Sequence, residues 1–310
     1  MTHRPKIGII GVGWVGSQVK RYFEEIKGYK AGEDLLSHDI DPKKCAGDIN
    51  EADIIFLTVP TPCNPKDGSC DISIIESAVA KIDGHPPLRK AMAGKGKIVV
   101  IKSTVFPGTT ELFQKKHPRH KFLFNPEFLT EARAWENFME PDRQIVGFTS
   151  RSADVAPLIL SLLPGAPFMS PSSSRQITAT EAELIKYAGN VYLSRKVNWA
   201  NALAKVAEKL GADYENIRQG MSADPRIGKS HLDINHGGYR GFGGFCLTKD
   251  TSALIAFVKQ IGLDEVYDLM MADWKFNENL LAEQGLTVSD VSRHITETEI
   301  IEKKRRNSKK

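Results

Sequence analysis

The sequence lacks any long apolar run and is poor in cysteine. No stretch approaches the roughly 18 apolar residues of a membrane-spanning helix, and the opening residues, MTHRPK, contain no apolar core of a secretory signal. The four cysteines are irregularly spaced and form no CxxC pair, which excludes the usual zinc-binding patterns. We therefore expect a reduced, cytoplasmic protein without a metal. A disulfide between Cys63 and Cys70 is the alternative.

Excess positive charge is confined to the C-terminus. The formal net charge is +4, and six of the last eight residues are Lys or Arg, so the rest of the chain carries −2. We expect residues 285–310 to form a basic, solvated and disordered tail. A weak contact with nucleic acid or another anionic partner is the alternative, and we expect no membrane contact.

What is present is an ordinary globular composition, 41% apolar and 26% charged, with a length typical of two domains. In the first half, helical patterns alternate with short apolar segments, namely KIGII, DLLSHDID, ADIIFLTVP, GKIVVIKST, HKFLFNP and QIVGF. Strands that alternate with helices predict an α/β fold with a doubly wound, mostly parallel sheet. We place this Rossmann domain at residues 1–170.

The second half has a helical character. A polar segment, SPSSSRQ, precedes one long helical pattern over 179–210, and shorter patterns follow at 213–220, 247–262 and 264–282. A glycine-rich loop, HGGYRGFGGFC, lies among them. We predict a helical central domain at residues 171–284.

The motif GVGWVG at 11–16 follows a strand and opens a helix, as a dinucleotide-binding turn requires. Gly11 permits the tight turn, Gly13 leaves room for a pyrophosphate, and Gly16 lets helix and strand approach. The pyrophosphate would meet free N–H groups at the positive end of a helix. A plain strand-to-helix turn is the alternative.

A carboxylate at the end of the second predicted strand indicates which dinucleotide binds. Asp39 would accept hydrogen bonds from the ribose hydroxyls and repel a 2′-phosphate, so NAD is favoured over NADP. Asp41 is the competing candidate, because strand ends are uncertain by a few residues.

Cys246 lies between glycines and a predicted helix, in GFGGFCLTKD. The helix dipole and Lys249 lower the pKa of a thiol at such a position, which suits a nucleophile. A buried cysteine acting as a small hydrophobe is an equally good interpretation of this loop alone.

Other polar residues follow predicted strands or share a helix face. Thr104, Glu127 and Glu131 lie just beyond strands four and five, where ligands of open α/β sheets bind. The two glutamates could instead complement a helix N-terminus. Lys186 and Asn190 are four apart on the long helix and share one face. By themselves, they are better explained as an ordinary solvated face.

Eight motifs taken in order resemble the UDP-glucose/GDP-mannose dehydrogenase family over about residues 5–280. They are GVGWVG, VPTP (59–62), KSTVFPGT (102–109), NPEFLTEA (125–132), PDRQIVG (141–147), ELIKYAGNVYL (183–193), DPRIG (224–228) and GFGGFCLTKD (241–250). The resemblance implies oxidation of a nucleotide sugar, of the UDP-glucose type, from the C6 alcohol to the carboxylate, with two NAD reduced.

The same resemblance implies roles for individual residues. Cys246 would form a thiohemiacetal and then a thioester, with Lys186 and Asn190 stabilising the oxyanion. Asp250 and Glu127 would position water and handle protons, and Thr104 and Glu131 would lie against NAD and that water. Besides the glycines and Asp39, the implied cofactor contacts are Val12, Trp14, Val15, Lys44, Pro60, Thr61, Ser103 and Lys249. Besides Glu127, Lys186 and Asn190, the implied substrate contacts are Phe128, Leu129, Thr130, Arg226, Tyr239, Phe242 and Gly243.

The sequence departs from the family pattern in two places. Family members usually carry a third domain that grips the nucleotide, and residues 285–310 are too short for one. Thr248 stands where the family usually has proline, so we expect a looser turn after Cys246.

Three interpretations follow from these departures. The chain is an active dehydrogenase, alone or paired with a chain that supplies the third domain. Alternatively, it oxidises a smaller sugar or sugar phosphate, or it is a non-catalytic NAD-binding partner subunit. The resemblance also implies a homodimer through helix 179–210, with Arg226 and the loop 237–243 reaching the substrate.

Overall fold

The computed structural model describes residues 4–64, 67–83, 96–293 and 296–307. The contacts divide the chain into two compact units. The first comprises Met1–Pro62 and Cys70–Lys186, and the second comprises Cys63–Ser69 and Tyr187–Lys310. The division falls inside a long helix rather than at residue 170, where the sequence analysis placed it. Within the described ranges, no helix is long and apolar enough to cross a membrane.

Among the described residues, eight short strands belong to the first unit. They are β1 (Ile7–Ile10), β2 (Leu35–His38), β3 (Ile54–Leu57), β4 (Ile98–Ile101), β5 (Lys121–Phe124), β6 (Arg143–Ile145), β7 (Gly147–Phe148) and β8 (Phe168–Ser170). The main sheet has the order β2-β1-β3-β4-β5-β7, and β1 to β5 are parallel. The first five strands are short runs of mostly buried apolar residues, as parallel strands covered on both faces require.

In the part of the chain that the structure describes, eleven helices connect and cover these strands or build the second unit. They are α1 (Trp14–Arg21), α2 (Ser73–Asp83), α3 (Thr109–Lys116), α4 (Ala134–Met139), α5 (Ala156–Leu162), α6 (Ala179–Leu210), α7 (Tyr214–Ser222), α8 (Phe245–Gln260), α9 (Asp264–Ala282), α10 (Val288–Val291) and α11 (Glu297–Asn307). A π-helical turn, Tyr22–Ile26, continues α1. The predicted helices of the second half agree with α6 to α9 within about two residues.

The core of the first unit lies on both faces of the sheet, because successive strand side chains point to opposite sides. In β3, Ile55 and Leu57 join a cluster that α2, α3 and the start of α6 complete. Ile54 and Phe56 join a second cluster that α1, α4 and α5 complete. The predicted doubly wound Rossmann fold is confirmed.

The prediction that QIVGF forms a single sixth strand of the mostly parallel sheet was wrong. The segment divides at Val146, so β6 pairs in parallel with β8 in a separate two-stranded sheet, whereas β7 pairs antiparallel with β5. At Gly147 a Cβ would lie 2.6 Å from the Cβ of Ala182 in α6. Which strands β6 and β7 pair with depends on this tertiary packing, and the apolar periodicity of the sequence does not encode it.

The expectation of a disordered tail over 285–310 was also wrong for its described part. Residues 288–291 and 297–307 are helical, and Ile300 is fully buried. Ile300 packs with Leu281, Leu286 and Val291 in a small apolar cluster. The high density of charged residues obscured these few apolar residues, whose burial depends on distant parts of the second unit. Lys309 and Lys310 lie outside the described residues.

Candidate active site

The glycine turn after β1 has the geometry of a dinucleotide cradle. Gly11 has φ +92°, in the left-handed region that favours glycine, and a Cβ at Gly16 would lie 2.0 Å from the Gly11 carbonyl oxygen. Around Gly13, by contrast, no atom of the described residues other than its two chain neighbours lies within 4 Å of an added Cβ. Open space at Gly13 beside the N-terminus of α1 fits a pyrophosphate, because the free N–H groups there favour an anion.

Asp39 follows β2 directly and lies at the same edge as the glycine turn. One carboxylate oxygen accepts a 2.6 Å hydrogen bond from the Val12 N–H, and the other accepts from the Asp41 N–H. Partial burial would raise the pKa of Asp39, but these two amides and the Lys44 ammonium lower it, and the net direction is downward. Lys44 Nζ also donates to the Val12 carbonyl at 3.1 Å. The structure thus brings Asp39 and Lys44 together with the glycine motif.

The loops after β3 and β4 are hydrogen-bonded to each other. Thr61 Oγ1 donates to the Thr104 carbonyl at 2.7 Å, and Ser103 Oγ donates to the Val59 carbonyl at 2.6 Å. Because parallel strands end at one edge, the first four strand ends present the predicted cofactor residues together. Pro60 is exposed there, Trp14 is 41% exposed and Val15 is half-buried. These residues fit a dinucleotide.

Glu127 and Lys186 form a nearly buried ion pair within the first unit. Lys186 Nζ donates to the Glu127 carboxylate at 3.0 Å and to the Glu127 carbonyl at 2.7 Å, and the Lys186 side chain is 5% exposed. The second carboxylate oxygen of Glu127 accepts from the Leu129 N–H. Lys186 is therefore not part of a solvated helix face, which was the alternative interpretation of the sequence.

Lys102 is a buried cation that the sequence analysis did not single out. Its Nζ donates to Asn125 Oδ1 at 2.6 Å, and it lines a cavity of about 100 Å³ together with Glu127. Burial lowers the pKa of Lys102 to about 8, with Glu127 opposing this shift and Lys186 adding to it. The sequence could have pointed to Lys102, because this residue lies between the fourth strand and the predicted site residues Ser103 and Thr104.

Glu183 is a second buried residue that sequence reasoning did not identify as functional. Its carboxylate accepts from the Gly108 N–H at 2.6 Å, the Thr110 N–H at 2.8 Å and the Thr110 hydroxyl. Burial raises the pKa of Glu183 to about 7, against the lowering effect of these hydrogen bonds. The carboxylate ties α6 to the N-terminus of α3, one turn before Lys186.

In the second unit, Cys246 and Asp250 lie four residues apart in the first two turns of α8, hence on one face. Asp250 is 1% exposed, accepts a 2.5 Å hydrogen bond from the Asn190 amide, and pairs with Lys249. Cys246 is half-buried, and none of the four cysteines forms a disulfide. Asn190 is thus engaged with a buried carboxylate rather than lying on a solvated face.

The expected loosening of the turn at Thr248 is not found. Thr248 is 3% exposed, and its hydroxyl donates to the Gly244 carbonyl at 2.8 Å. This bond closes the first turn of α8. Cys63 also supports the helix start, since its Sγ donates to the Lys249 carbonyl at 3.3 Å.

The predicted substrate residues of the glycine loop have different environments. Phe242 is 2% exposed, packs against Trp274, and has its N–H and C=O bonded to Asn277. The side chain of Phe242 therefore belongs to the core of the second unit, and a contact of this residue with substrate stays a prediction. Burial raises the pKa of Tyr239 to about 12, and an added Cβ at Gly243 would lie 2.0 Å from the Tyr239 hydroxyl.

Arg226 lies in a groove of about 540 Å³ within the second unit, beside Tyr192 and Trp199 of α6. Its side chain is 87% exposed and forms a two-point pair with Asp224. The structure groups Arg226 with these exposed aromatic residues rather than with the residues around Asp250.

The remaining predicted substrate residues lie in the loop after β5. Phe128 stacks under the Arg143 guanidinium, Leu129 packs against the core, and Thr130 bonds to Asn137. The side chain of Glu131 lies outside the described residues.

Comparison with known proteins agrees with this geometry. Residues 44–159 match the NAD binding domain of the UDP-glucose/GDP-mannose dehydrogenase family, and residues 180–279 match its central domain. The chain is 32% identical over 298 residues to a UDP-glucose 6-dehydrogenase of Bacillus subtilis, covering 83% of this chain and 60% of that protein. A UDP-glucose 6-dehydrogenase of Haloferax volcanii is 30% identical over 307 residues, covering 84% and 66%.

Solved structures give the same picture. A UDP-glucose dehydrogenase from Pyrobaculum islandicum superposes with a TM-score of 0.77 and 26% identity, covering 99% of this chain and 80% of that one. A GDP-mannose dehydrogenase from Pseudomonas aeruginosa, at 22% identity and a TM-score of 0.60, shares the fold over 90% and 70%. The chain spans well under two thirds of the Bacillus subtilis relative.

The prediction of NAD as cofactor is confirmed by the matched NAD-binding domain, whose match begins after the glycine turn. The two domain matches, the curated relatives and the cradle described above agree with one another. The chain belongs to the UDP-glucose/GDP-mannose dehydrogenase family.

Proposed function

We propose that the chain oxidises the C6 hydroxymethyl group of a nucleotide sugar of the UDP-glucose type to a carboxylate, with two NAD reduced per sugar. The observation that carries the proposal is the thiol of Cys246 on the same face of α8 as Asp250, whose carboxylate holds the Asn190 amide. A protein that only binds NAD needs no such thiol. The similarity to UDP-glucose 6-dehydrogenases of Bacillus subtilis and Haloferax volcanii supports the substrate class.

The nucleophile in this proposal is Cys246. It lies in the first turn of α8, where the positive end of the helix stabilises an anionic sulfur. Attack of the thiolate on the aldehyde carbon gives a thiohemiacetal, and its oxidation gives a thioester. The thiohemiacetal keeps the aldehyde-level carbon on the protein between the two oxidations, and the thioester is the product of the second oxidation. Bound NAD supplies the hydride acceptor for both of them.

Lys186 and Asn190 are the proposed oxyanion donors, one helical turn apart on α6. The Lys186 ammonium is buried and held by Glu127, and the Asn190 amide is held by Asp250. Donors that are fixed before charge develops stabilise the transition state without a cost of reorganisation. The two carboxylates therefore serve as orienting groups for these donors.

Proton transfer and water activation are assigned to Glu127 and Asp250. Each is a carboxylate beside a cation: Glu127 beside Lys186, and Asp250 beside Lys249. In the last step a base takes a proton from water, which attacks the thioester carbon and releases the Cys246 thiolate. Thr104 completes the proposed catalytic set.

The cofactor contacts proposed are those of the glycine turn, Asp39 and Lys44, together with the loops after β3 and β4. Glu131 and Lys249 are assigned to the same role by the family resemblance. For the substrate, we assign Phe128 to Thr130 and the backbone of the glycine loop 237–243.

A homodimer through α6 is proposed as the assembled form. The second unit exposes Tyr192 at 61% and Trp199 at 58%, one heptad apart on α6, with Val206 following after another seven residues. An apolar stripe with this spacing suits burial against a second copy. Arg226 borders the stripe. Light scattering of the wild type and of Trp199→Glu tests this, and a wild-type monomer would refute it.

The activity is tested by counting NADH produced per sugar. UDP-glucose, GDP-mannose and UDP-N-acetylmannosamine are each supplied in limiting amount to the purified chain, with Cys246→Ala as control. Two NADH per sugar, with turnover reduced at least about 10³-fold in the variant, are expected. Mass spectrometry should find a sugar adduct on Cys246.

Absence of turnover with all three sugars, despite NAD binding, would overturn the stand-alone activity. The assay is then repeated with a separately expressed nucleotide-binding domain. Recovery of turnover would show that the activity needs a nucleotide-binding domain supplied in trans, and failure would favour a non-catalytic NAD-binding subunit.

A further inference from the structure

The backbone of the glycine loop is held at alternate residues by side chains from elsewhere in the second unit. Lys304 Nζ donates to the Gly238 carbonyl at 2.8 Å. The Gln284 amide exchanges two hydrogen bonds with residue 240, accepting from its N–H at 2.9 Å and donating to its carbonyl at 2.8 Å. The Asn277 amide does the same at residue 242, at 2.7 and 3.1 Å.

This pattern is that of a strand edge, on which every second residue exchanges both of its hydrogen bonds with a neighbour. Here the neighbour is a ladder of three side chains, namely Lys304, Gln284 and Asn277. Gln284 also joins the rungs, because its Oε1 accepts from Lys304 Nζ at 3.1 Å.

The first rung belongs to the C-terminal helix α11. Ile300 anchors this helix in the apolar cluster of Leu281, Leu286 and Val291, which Tyr239 of the glycine loop also contacts. Lys303, on the same helix, pairs with Asp290. The described part of the basic segment is therefore docked against the loop, and its Lys304 hydrogen-bonds to the loop backbone.

We propose that α11 supports the substrate site. Its Lys304, together with Gln284, to which Lys304 is hydrogen-bonded, fixes the glycine loop 238–242 in the conformation that binds the nucleotide sugar. This inference rests on the proposed function of the loop. Lys304 and Gln284 are positioning residues, since they act through the backbone of Gly238 and Arg240. A loop that is ordered before binding loses less conformational entropy when the ligand binds.

Gly241 shows how closely the ladder approaches the loop. Its φ is +108°, and an added Cβ would lie 2.7 Å from Asn277 Oδ1. A side chain at this position would therefore push the amide away from Phe242. Glycine at position 241 therefore allows both the positive φ and the close approach of Asn277.

The variants that test the proposal are Lys304→Met and Gln284→Leu, with Lys303→Met as the matched control. Lys303→Met removes the same charge from the same helix but leaves the loop contacts in place. Dissociation constants for UDP-glucose and for NADH are measured by calorimetry, and hydrogen exchange is measured at residues 237–243. For the full chain we expect Lys304→Met to weaken UDP-glucose binding about tenfold, as loss of a charged hydrogen bond implies.

NADH binding should be unchanged, and exchange in the loop should rise in Lys304→Met and Gln284→Leu but not in Lys303→Met. A general loss of folding would instead affect NADH binding and all three variants. Unchanged loop exchange and unchanged UDP-glucose binding in Lys304→Met would overturn the inference.

The hydrogen-exchange measurement uses the protein without ligand. It therefore decides whether the ladder orders the loop, whether or not the protein binds a nucleotide sugar. If the wild type binds none of UDP-glucose, GDP-mannose and UDP-N-acetylmannosamine, the proposed function fails. Increased exchange in Lys304→Met under that outcome would still support the ladder, and unchanged exchange would refute it.

Discussion

The Asn190 amide donates a 2.5 Å hydrogen bond to a carboxylate of Asp250 that is almost fully buried. The other oxygen of Asp250 receives the Lys249 ammonium. Both oxygens of this carboxylate are thus engaged within the second unit. The buried carboxylate of Asp250 thus has one donor at each oxygen, and each donor is fixed in return.

Asn190→Asp should therefore make the stability of the protein depend on pH. Two carboxylates at this distance cannot both ionise, so the pKa of one is raised. Below that pKa a shared proton replaces the amide hydrogen bond, and stability is lost as pH rises through it. We expect a loss of about 1–3 kcal/mol on going from about pH 5 to about pH 8.

Urea unfolding of Asn190→Asp and Asn190→Ala at both pH values checks this prediction. The Ala variant introduces no titrating group, so it should show only the pH dependence of the wild type. Equal pH dependence in the two variants would contradict the close contact between residues 190 and 250.

Gly13→Ala and Gly16→Ala should fail in different ways. A Cβ at Gly13 meets open space, whereas one at Gly16 lies 2.0 Å from the Gly11 carbonyl oxygen. We expect Gly13→Ala to keep the stability of the wild type while its affinity for NADH falls at least about tenfold. Gly16→Ala should unfold at lower temperature by several degrees, as a clash with backbone costs about 1–3 kcal/mol.

Thermal unfolding and NADH fluorescence titration measure the two effects separately. Unchanged NADH affinity in Gly13→Ala would show that no ligand group approaches Gly13. That result would remove the main structural support for the pyrophosphate position.

Glu183→Gln should remove a pH dependence of stability that the wild type possesses. Burial raises the pKa of Glu183 to about 7, whereas an unfolded chain has an ordinary glutamate. The folded protein then binds more protons, so this contribution is complete below about pH 4 and is lost as pH rises through about 7. The difference amounts to about 3 kcal/mol.

The measurement is urea unfolding of wild type and Glu183→Gln at several values between about pH 5 and about pH 8. The free energy of unfolding of the wild type should fall more steeply with pH than that of the variant. A steeper fall in the variant would mean that the hydrogen bonds from Gly108 and Thr110 outweigh the effect of burial on the pKa.

Asp39→Asn should weaken discrimination between the two dinucleotides. The Asp39 carboxylate already accepts from Val12, and an asparagine oxygen can keep that bond. The variant loses the acceptor for the Asp41 N–H and the charge that repels a 2′-phosphate. Because of the lost charge, we expect the ratio of NADPH to NADH dissociation constants to fall about tenfold or more.

Asp41→Asn is the matched control, because Asp41 is the other carboxylate that the strand pattern allowed. Dissociation constants from fluorescence titration decide between them. A larger change in Asp41→Asn would reassign the ribose contact to Asp41.

Much of the site could be predicted from the sequence, because its residues lie at turns and at the ends of strands and helices, which have recognisable local sequence patterns. Gly11, Gly13 and Gly16 mark a strand-to-helix turn, and Asp39 marks a strand end. Cys246 marks a helix start. These features depend on a few consecutive residues, and the structure has them where the spacing indicates. For Lys186 and Asn190, the residues alone favoured a solvated face, and only the family resemblance pointed to a site.

Lys102, Glu183 and the ladder of Lys304, Gln284 and Asn277 were not identified in the sequence. Each acts on a partner far away in the chain: Glu183 on Gly108 and Thr110, for example, and Lys304 on Gly238. A lysine or glutamate in a helical pattern looks the same whether it is buried or solvated. Its burial depends on what packs over it.

The sequence by itself determined the alternation of apolar strands and helices, the dinucleotide turn and the order of the family motifs, because periodicity and glycine positions act over short distances. Only the tertiary structure decided that QIVGF divides between two sheets, that Phe242 belongs to the core, and that the basic tail docks through Ile300 and Lys304. Strand partners, burial and long-range hydrogen bonds depend on contacts between distant segments. Those contacts form only when the whole chain packs.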